Sequence, residues 1–337
     1  MQLINKARFY LQLSAIVLLF NGMVLTSSIY AQINKPPIYI NIVIHTEAPP
    51  DSPNFEIDTT SFWEYRQRLI EFANMLSKNT VMINYQTEWN FAKAVALYDD
   101  GTPDTHGKNV FRYLREDLGF EIDPHSHETT FHSVDYNYAD VVHLIQLTGV
   151  TPSRVAGGFI AAPPQDSQLE QFWNQIVGCA YSASTWQANI LWGAATYLHT
   201  NETCLWASGI WKPKDAYHFL VHDSTAPIPN IGTYGSSDTT DQHWHNFMRL
   251  VQLQRDGLLP LGKIYTCTIF VPHTDLNITE YITEFEQRLH QYLPDTSLHW
   301  VGLQQVINIW KTEYNSEPNI YVYEPPTGIN DRLWMLY

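Results

Sequence analysis

Two short stretches of this 337-residue chain carry side chains that together could hold a divalent cation. In Ile44-His45-Thr46-Glu47-Ala48-Pro49, His45 and Glu47 stand two apart, so an extended strand places both on one face. In Asp123-Pro124-His125-Ser126-His127-Glu128, Asp123, His125 and His127 alternate in the same way, with Pro124 as a local disturbance. Two imidazoles with one or two carboxylates are a donor set for Zn²⁺ or a similar divalent ion. Such an ion lowers the pKa of its bound water to about 7 and polarises an acyl oxygen, which is the chemistry of hydrolysis.

For these stretches to meet, both must end strands on the same side of one sheet. Ile38-Tyr-Ile-Asn-Ile-Val-Ile44 is a β-branched run with the character of a buried strand. Ser61-Phe-Trp-Glu64 reads as a capping box that opens a helix running through Met75 and Leu76. Strands are expected at 81–85, 120–123, 155–159, 190–193, 217–221 and 264–271. Helices are expected at 109–118, 138–147, 169–177, 244–254 and 278–292. Strands alternating with helices imply a mostly parallel sheet with helices outside. With no clear break, the economical solution is one α/β domain over 36–337, a single distorted (β/α) barrel of seven to eight parallel strands. Its strand C-termini would carry the site. No GxGxxG follows the first strand, so a dinucleotide fold is not indicated.

The segment Gly119-Phe-Glu-Ile-Asp-Pro-His125-Ser126-His127 resembles the second motif of the polysaccharide deacetylases, the NodB-like carbohydrate esterases. Ile44-His-Thr-Glu47-Ala-Pro49 looks like their first motif, Thr-Phe-Asp-Asp-Gly-Pro. The resemblance implies a divergent member of the wider glycoside hydrolase/deacetylase superfamily, with Glu47, His125 and His127 as metal ligands. The family's general base falls on Thr46, which cannot take a proton, and its second metal histidine falls on Thr129. The base must then come from nearby, with Glu128 placed first and His45 and Asp123 as rivals. Phe270-Val-Pro-His273 is similar to the family's final Leu-x-His motif, which implies an assisting acid at His273; His222 is a second candidate. Glu88 either faces the site or is a solvated loop carboxylate.

The composition narrows the partners. With 19 Lys+Arg against 34 Asp+Glu the net charge is -15, and no basic stripe exists to neutralise phosphates, so nucleic acid is not an expected partner. Eleven Trp and 20 Tyr favour a carbohydrate in aggregate, with Trp192, Trp206 and Trp211 as possible stacking rings near the mouth. Lys6 and Arg8 precede the apolar run 11–20, and Ile29-Tyr30-Ala31 offers a cleavage site. Residues 1–31 thus read as a secretion signal, giving a secreted or periplasmic protein with no stable membrane insertion after cleavage. In that compartment Cys179 and Cys204 could pair, and Asn201-Glu-Thr203 and Asn277-Ile-Thr279 are glycosylation sequons. The expected function is a secreted, metal-dependent hydrolase that deacylates an N- or O-acylated glycan, with Zn the simplest ion. The alternatives are a glycosidase using Glu47 and Glu128, or a non-catalytic carbohydrate-binding protein.

Overall fold

The computed structural model describes residues 35–47, 54–126, 130–131, 134–161, 168–194, 206–232 and 240–323. The strands that bear on the site are β1 (Ile38–His45), β2 (Ile83–Thr87), β3 (Glu121–Pro124), β4 (Val155–Ile160), β5 (Ile190–Ala194), β6 (Ile210–Trp211), β7 (Asn230–Ile231), β8 (Tyr265–Pro272) and β9 (Leu298–Trp300). The larger helices are α1 (Thr59–Lys78), α2 (Trp89–Tyr98), α3 (Tyr138–Leu147), α4 (Thr240–Arg255), α5 (Tyr281–His290) and α6 (Leu303–Glu313).

All eight residues of β1 are buried, which explains a run with little polar alternation: both of its faces are covered. Ile38, Ile40, Ile42 and Ile44 pack in the core beneath the helices. Tyr39 and Val43 belong to a second core with Trp192, Phe270 and Trp310. Each isoleucine so buried contributes about 1.5–3 kcal/mol of transfer free energy, so the run fixes its own place at the centre of the sheet.

β1 pairs in parallel with β8 over its whole length, from Ile38 opposite Tyr265 to His45 opposite Pro272. Its other edge is shared: β9 runs beside Ile38–Ile40 and β2 beside Ile42–His45, both parallel. β3 continues from β2. A second ladder has the order β6-β7-β5-β4, with only β6 antiparallel to its neighbour. Among the described residues, the two ladders are joined by a parallel bridge between His125 and Gly157. On the far side, Gly209 donates its backbone N–H to Thr266 Oγ1 at 2.9 Å and Ser208 Oγ donates to Thr266 O at 2.8 Å. The chain is thus a mixed α/β protein with a parallel central sheet, and no described helix is long and apolar enough to cross a membrane.

Three expected elements change character. The helix expected at 169–177 is a short 3₁₀ turn, Leu169–Trp173, followed by Ile176–Val177 paired antiparallel with Thr185–Trp186. The strand expected at 217–221 is a series of turns. Asp215 captures the backbone N–H of His218 at 2.7 Å, a local bond that competes with a ladder. Ser61 is not the cap of α1; Asp58 is, accepting from Ser61 N at 3.1 Å and Ser61 Oγ at 2.8 Å.

Candidate metal centre

His45 ends β1 and His125 follows β3, so β2 alone separates them in the sheet. Their ring centroids lie 4.3 Å apart. Glu47, two residues past His45, sets Oε1 3.4 Å from His45 Nδ1 and 3.4 Å from His125 Nε2. The three donor atoms fall within 4.8 Å of one another. A tetrahedral ion bound at about 2.0–2.1 Å separates its ligands by roughly 3.3–3.4 Å, so two edges of the triangle have the required length. Both imidazoles are buried while a third of the Glu47 side chain is exposed, so the cluster opens to solvent through its carboxylate.

Gly158 makes this approach possible. At φ +61° it adopts a conformation that L side chains rarely take. A Cβ there would lie 2.2 Å from His125 Nε2 and 2.8 Å from His45 Cε1. The donor set, its spacing and this cradle all suit a divalent ion of the zinc type.

His273 follows β8 at the rim of the same cluster, where the backbone N–H of Glu47 approaches its Nδ1 at 3.5 Å. Burial pushes the His273 pKa down to about 4; the nearby Glu47 charge opposes this and His45 adds to it. His273 is therefore neutral near pH 7. Thr46 turns the other way, with its hydroxyl 2.5 Å from Tyr85 OH and 3.2 Å from Tyr65 OH. Burial raises the pKa of both phenols, Tyr65 to about 12. Thr46 is thus one hydroxyl in a buried hydroxyl cluster.

Several expected site residues lie elsewhere. Asp123 is not at the mouth but beneath the imidazoles, accepting from Asn84 Nδ2 at 2.8 Å, Gln86 Nε2 at 3.3 Å and Ser153 Oγ at 2.5 Å. Burial and the adjacent Glu121 charge push its pKa up to about 7. His222 lies at the opposite end of the strands, lining a cavity with Asn189, just before β5, and Trp310 of α6. Its Nδ1 accepts from Lys212 N at 3.2 Å. Trp192, Trp206 and Trp211 are all buried, so none offers a face for a sugar. Cys179 is an exposed free thiol, while Cys204 lies outside the described residues. His127, Glu128, residues 1–31, where a secretion signal was expected, and the Asn201 sequon also lie outside them.

Glu88 is neither a solvated loop carboxylate nor a group in the cluster. It is fully buried and caps α2, accepting from Asn90 N at 2.8 Å and Phe91 N at 3.1 Å. Glu88→Ala is expected to lower stability by about 1–2 kcal/mol and leave metal content unchanged. Calorimetry together with elemental analysis checks both halves.

The residues not anticipated are Gln86 and Gly158. The Gly157-Gly158 pair inside a strand did carry a signal, because a strand glycine often marks a close approach. Gln86 carried none, since a lone glutamine in a strand has no spacing to interpret.

No protein-family model matches the chain, and no curated protein matches it. Solved structures do. The Puue allantoinase superposes with a TM-score of 0.51 at 10% identity, covering 82% of this chain and 91% of its own. A Parabacteroides distasonis protein provisionally named a glycoside hydrolase/deacetylase gives 0.49 at 12% identity, covering 83% and 72%. A Mycobacterium smegmatis protein provisionally named a polysaccharide deacetylase gives 0.48 at 9%, covering 87% and 96%. At these identities the likeness is one of fold, and the allantoinase carries it.

Proposed function

We propose that this protein is a metal-dependent hydrolase that removes an N- or O-acyl group from a carbohydrate, as a divergent relative of the polysaccharide deacetylases. The supporting observation is the convergence of His45, Glu47 and His125, with two donor separations of 3.4 Å. The reading includes a distorted (β/α) barrel, supported by the His125–Gly157 bridge and the bonds onto Thr266. It also includes export, supported by the leader-like residues 1–31.

His45, Glu47 and His125 would hold the ion, which when bound would polarise an acyl oxygen and lower the pKa of a water to about 7. His45 moves from candidate base to ligand because its ring is enclosed between Glu47 and Gln86. Glu128 is proposed as the base that would take the water's proton, and His127 as a further metal ligand, as its motif implies. His273, neutral near pH 7 and approached at Nδ1 by the Glu47 N–H, presents Nε2–H as a donor to the developing oxyanion. Glu47 stands against both imidazoles, which suits a ligand better than the free acid of a two-carboxylate glycosidase.

The purified protein is expected to contain about one equivalent of divalent metal, and His125→Ala should lose most of it. Stoichiometric metal in that variant overturns the site. Metal-loaded protein that releases no acyl group from a panel of acylated glycans overturns the reaction.

A further inference from the structure

Resting on the metal reading, we propose that Gln86 is a positioning residue of the centre. It selects the tautomer in which His45 carries its proton on Nε2 and turns the Nδ1 lone pair towards the ion.

Gln86 lies directly across from His45 in the β1–β2 register, and its Oε1 is 2.5 Å from His45 Nε2. Which end of the amide faces the imidazole follows from its other contact. The amide Nε2 lies 3.3 Å from Asp123 Oδ2, an oxygen that also accepts from Asn84 Nδ2 at 2.8 Å and so acts as an acceptor here. Oε1 therefore faces His45 and can only accept, so the proton belongs to His45 Nε2. His45 Nδ1 is the atom 3.4 Å from Glu47 Oε1, so the ring presents its lone pair at the cluster.

The amide is held by a column of bonds rather than by one contact. Asn84 Nδ2 donates to the same Asp123 Oδ2 at 2.8 Å and to Glu121 Oε2 at 2.7 Å. The first turn of α6 donates Leu303 N to Asn84 Oδ1 at 2.9 Å and Gln304 N to Glu121 Oε2 at 3.0 Å. A Cβ at Gly157 would fall 2.4 Å from Gln86 Oε1, so that glycine leaves the amide its seat. Asn84, Gln86 and Asp123 are wholly buried, so water does not compete for these bonds. A histidine ligand usually gives its second N–H to a carboxylate, a carbonyl or water; here the acceptor is an uncharged side-chain amide.

The test compares wild type, Gln86→Met and the double variant Gln86→Glu/Asp123→Asn, which exchanges the acid and amide while keeping an acceptor for His45. Zinc affinity is measured by chelator competition, and the His45 tautomer by ¹⁵N NMR of the metal-free protein. Gln86→Met should bind zinc about 10–100-fold more weakly and lose the pure Nε2–H tautomer. The double variant should recover most of both. Affinity within twofold of wild type in Gln86→Met overturns the proposal. If Gln86→Met does not fold, the wild-type tautomer decides, and an Nδ1–H ring overturns it. A wild type that binds no zinc overturns the metal reading itself, whereas zinc binding with the wrong tautomer overturns this proposal alone.

Discussion

Gly158→Ala is expected to weaken zinc binding more than 100-fold, the largest single-residue effect outside the ligands themselves. The new methyl would stand 2.2 Å from His125 Nε2, the atom that faces Glu47, and 2.8 Å from His45. Neither imidazole is the far end of a flexible chain, because each is buried and enclosed by the sheet. The backbone adds a second cost, since a left-handed residue with a Cβ loses about 1–2 kcal/mol. Gly257→Ala separates the two effects. Gly257 has φ +71° with nothing within 4 Å of its virtual Cβ, so it should lose a similar amount of stability and keep its zinc. Wild-type zinc affinity in Gly158→Ala would show that the imidazoles do not meet as described.

Asp99→Ala is expected to be the most destabilising change remote from the centre. Arg66 of α1 is buried, and its Nε donates to Asp99 Oδ2 at 2.7 Å. Asp99 also accepts from Val110 N at 2.7 Å and Gly101 N at 3.2 Å, so its loss strands two backbone donors and takes the nearest carboxylate from Arg66, which keeps Thr102, Thr105 and, at 3.4 Å, Asp104. Removing one partner of a buried pair typically costs about 3–5 kcal/mol, here a fall in Tm of roughly 10 °C. The paired replacement Arg66→Met with Asp99→Leu should recover much of that, because no charge is then left buried. Thermal unfolding measures both, and zinc content should not change in either. A single variant with the wild-type Tm would mean that Asp104 and the two threonines suffice for Arg66 when Asp99 is gone.

What the sequence revealed depended on whether a residue's role was set by local pattern or by distant neighbours. β1 was legible because a strand covered on both faces reads as an unbroken apolar run, and the strand-helix alternation followed from the same logic. His45 and Glu47 could be placed on one face by spacing alone, and His125 by its motif. Spacing alone could not separate a ligand from a base at His45, because the contact with Gln86 that bears on the choice comes from a neighbouring strand. Asp123 and Glu88 were misplaced for a related reason: a carboxylate at a strand end looks available to the site or to solvent until its buried donors appear. The tryptophans misled in the same direction, since aromatic richness here fills the interior. Turns at 217–221 were missed because apolar residues there suggested a strand, whereas Asp215 and His218 close the backbone locally.

The placement of β1 also has a consequence for how the protein is made. Its first residues pair with Tyr265 on one side and Leu298 on the other, both more than 220 residues further along the chain. At a synthesis rate of about 5–20 residues per second, β1 waits roughly ten seconds to a minute for those neighbours. Throughout that interval a β-branched, uncharged segment has one edge without its final partner, the kind of segment that pairs with other chains. The strand that brings His45 to the cluster is therefore made long before the strands that complete it, and its safekeeping falls to whatever holds the nascent chain.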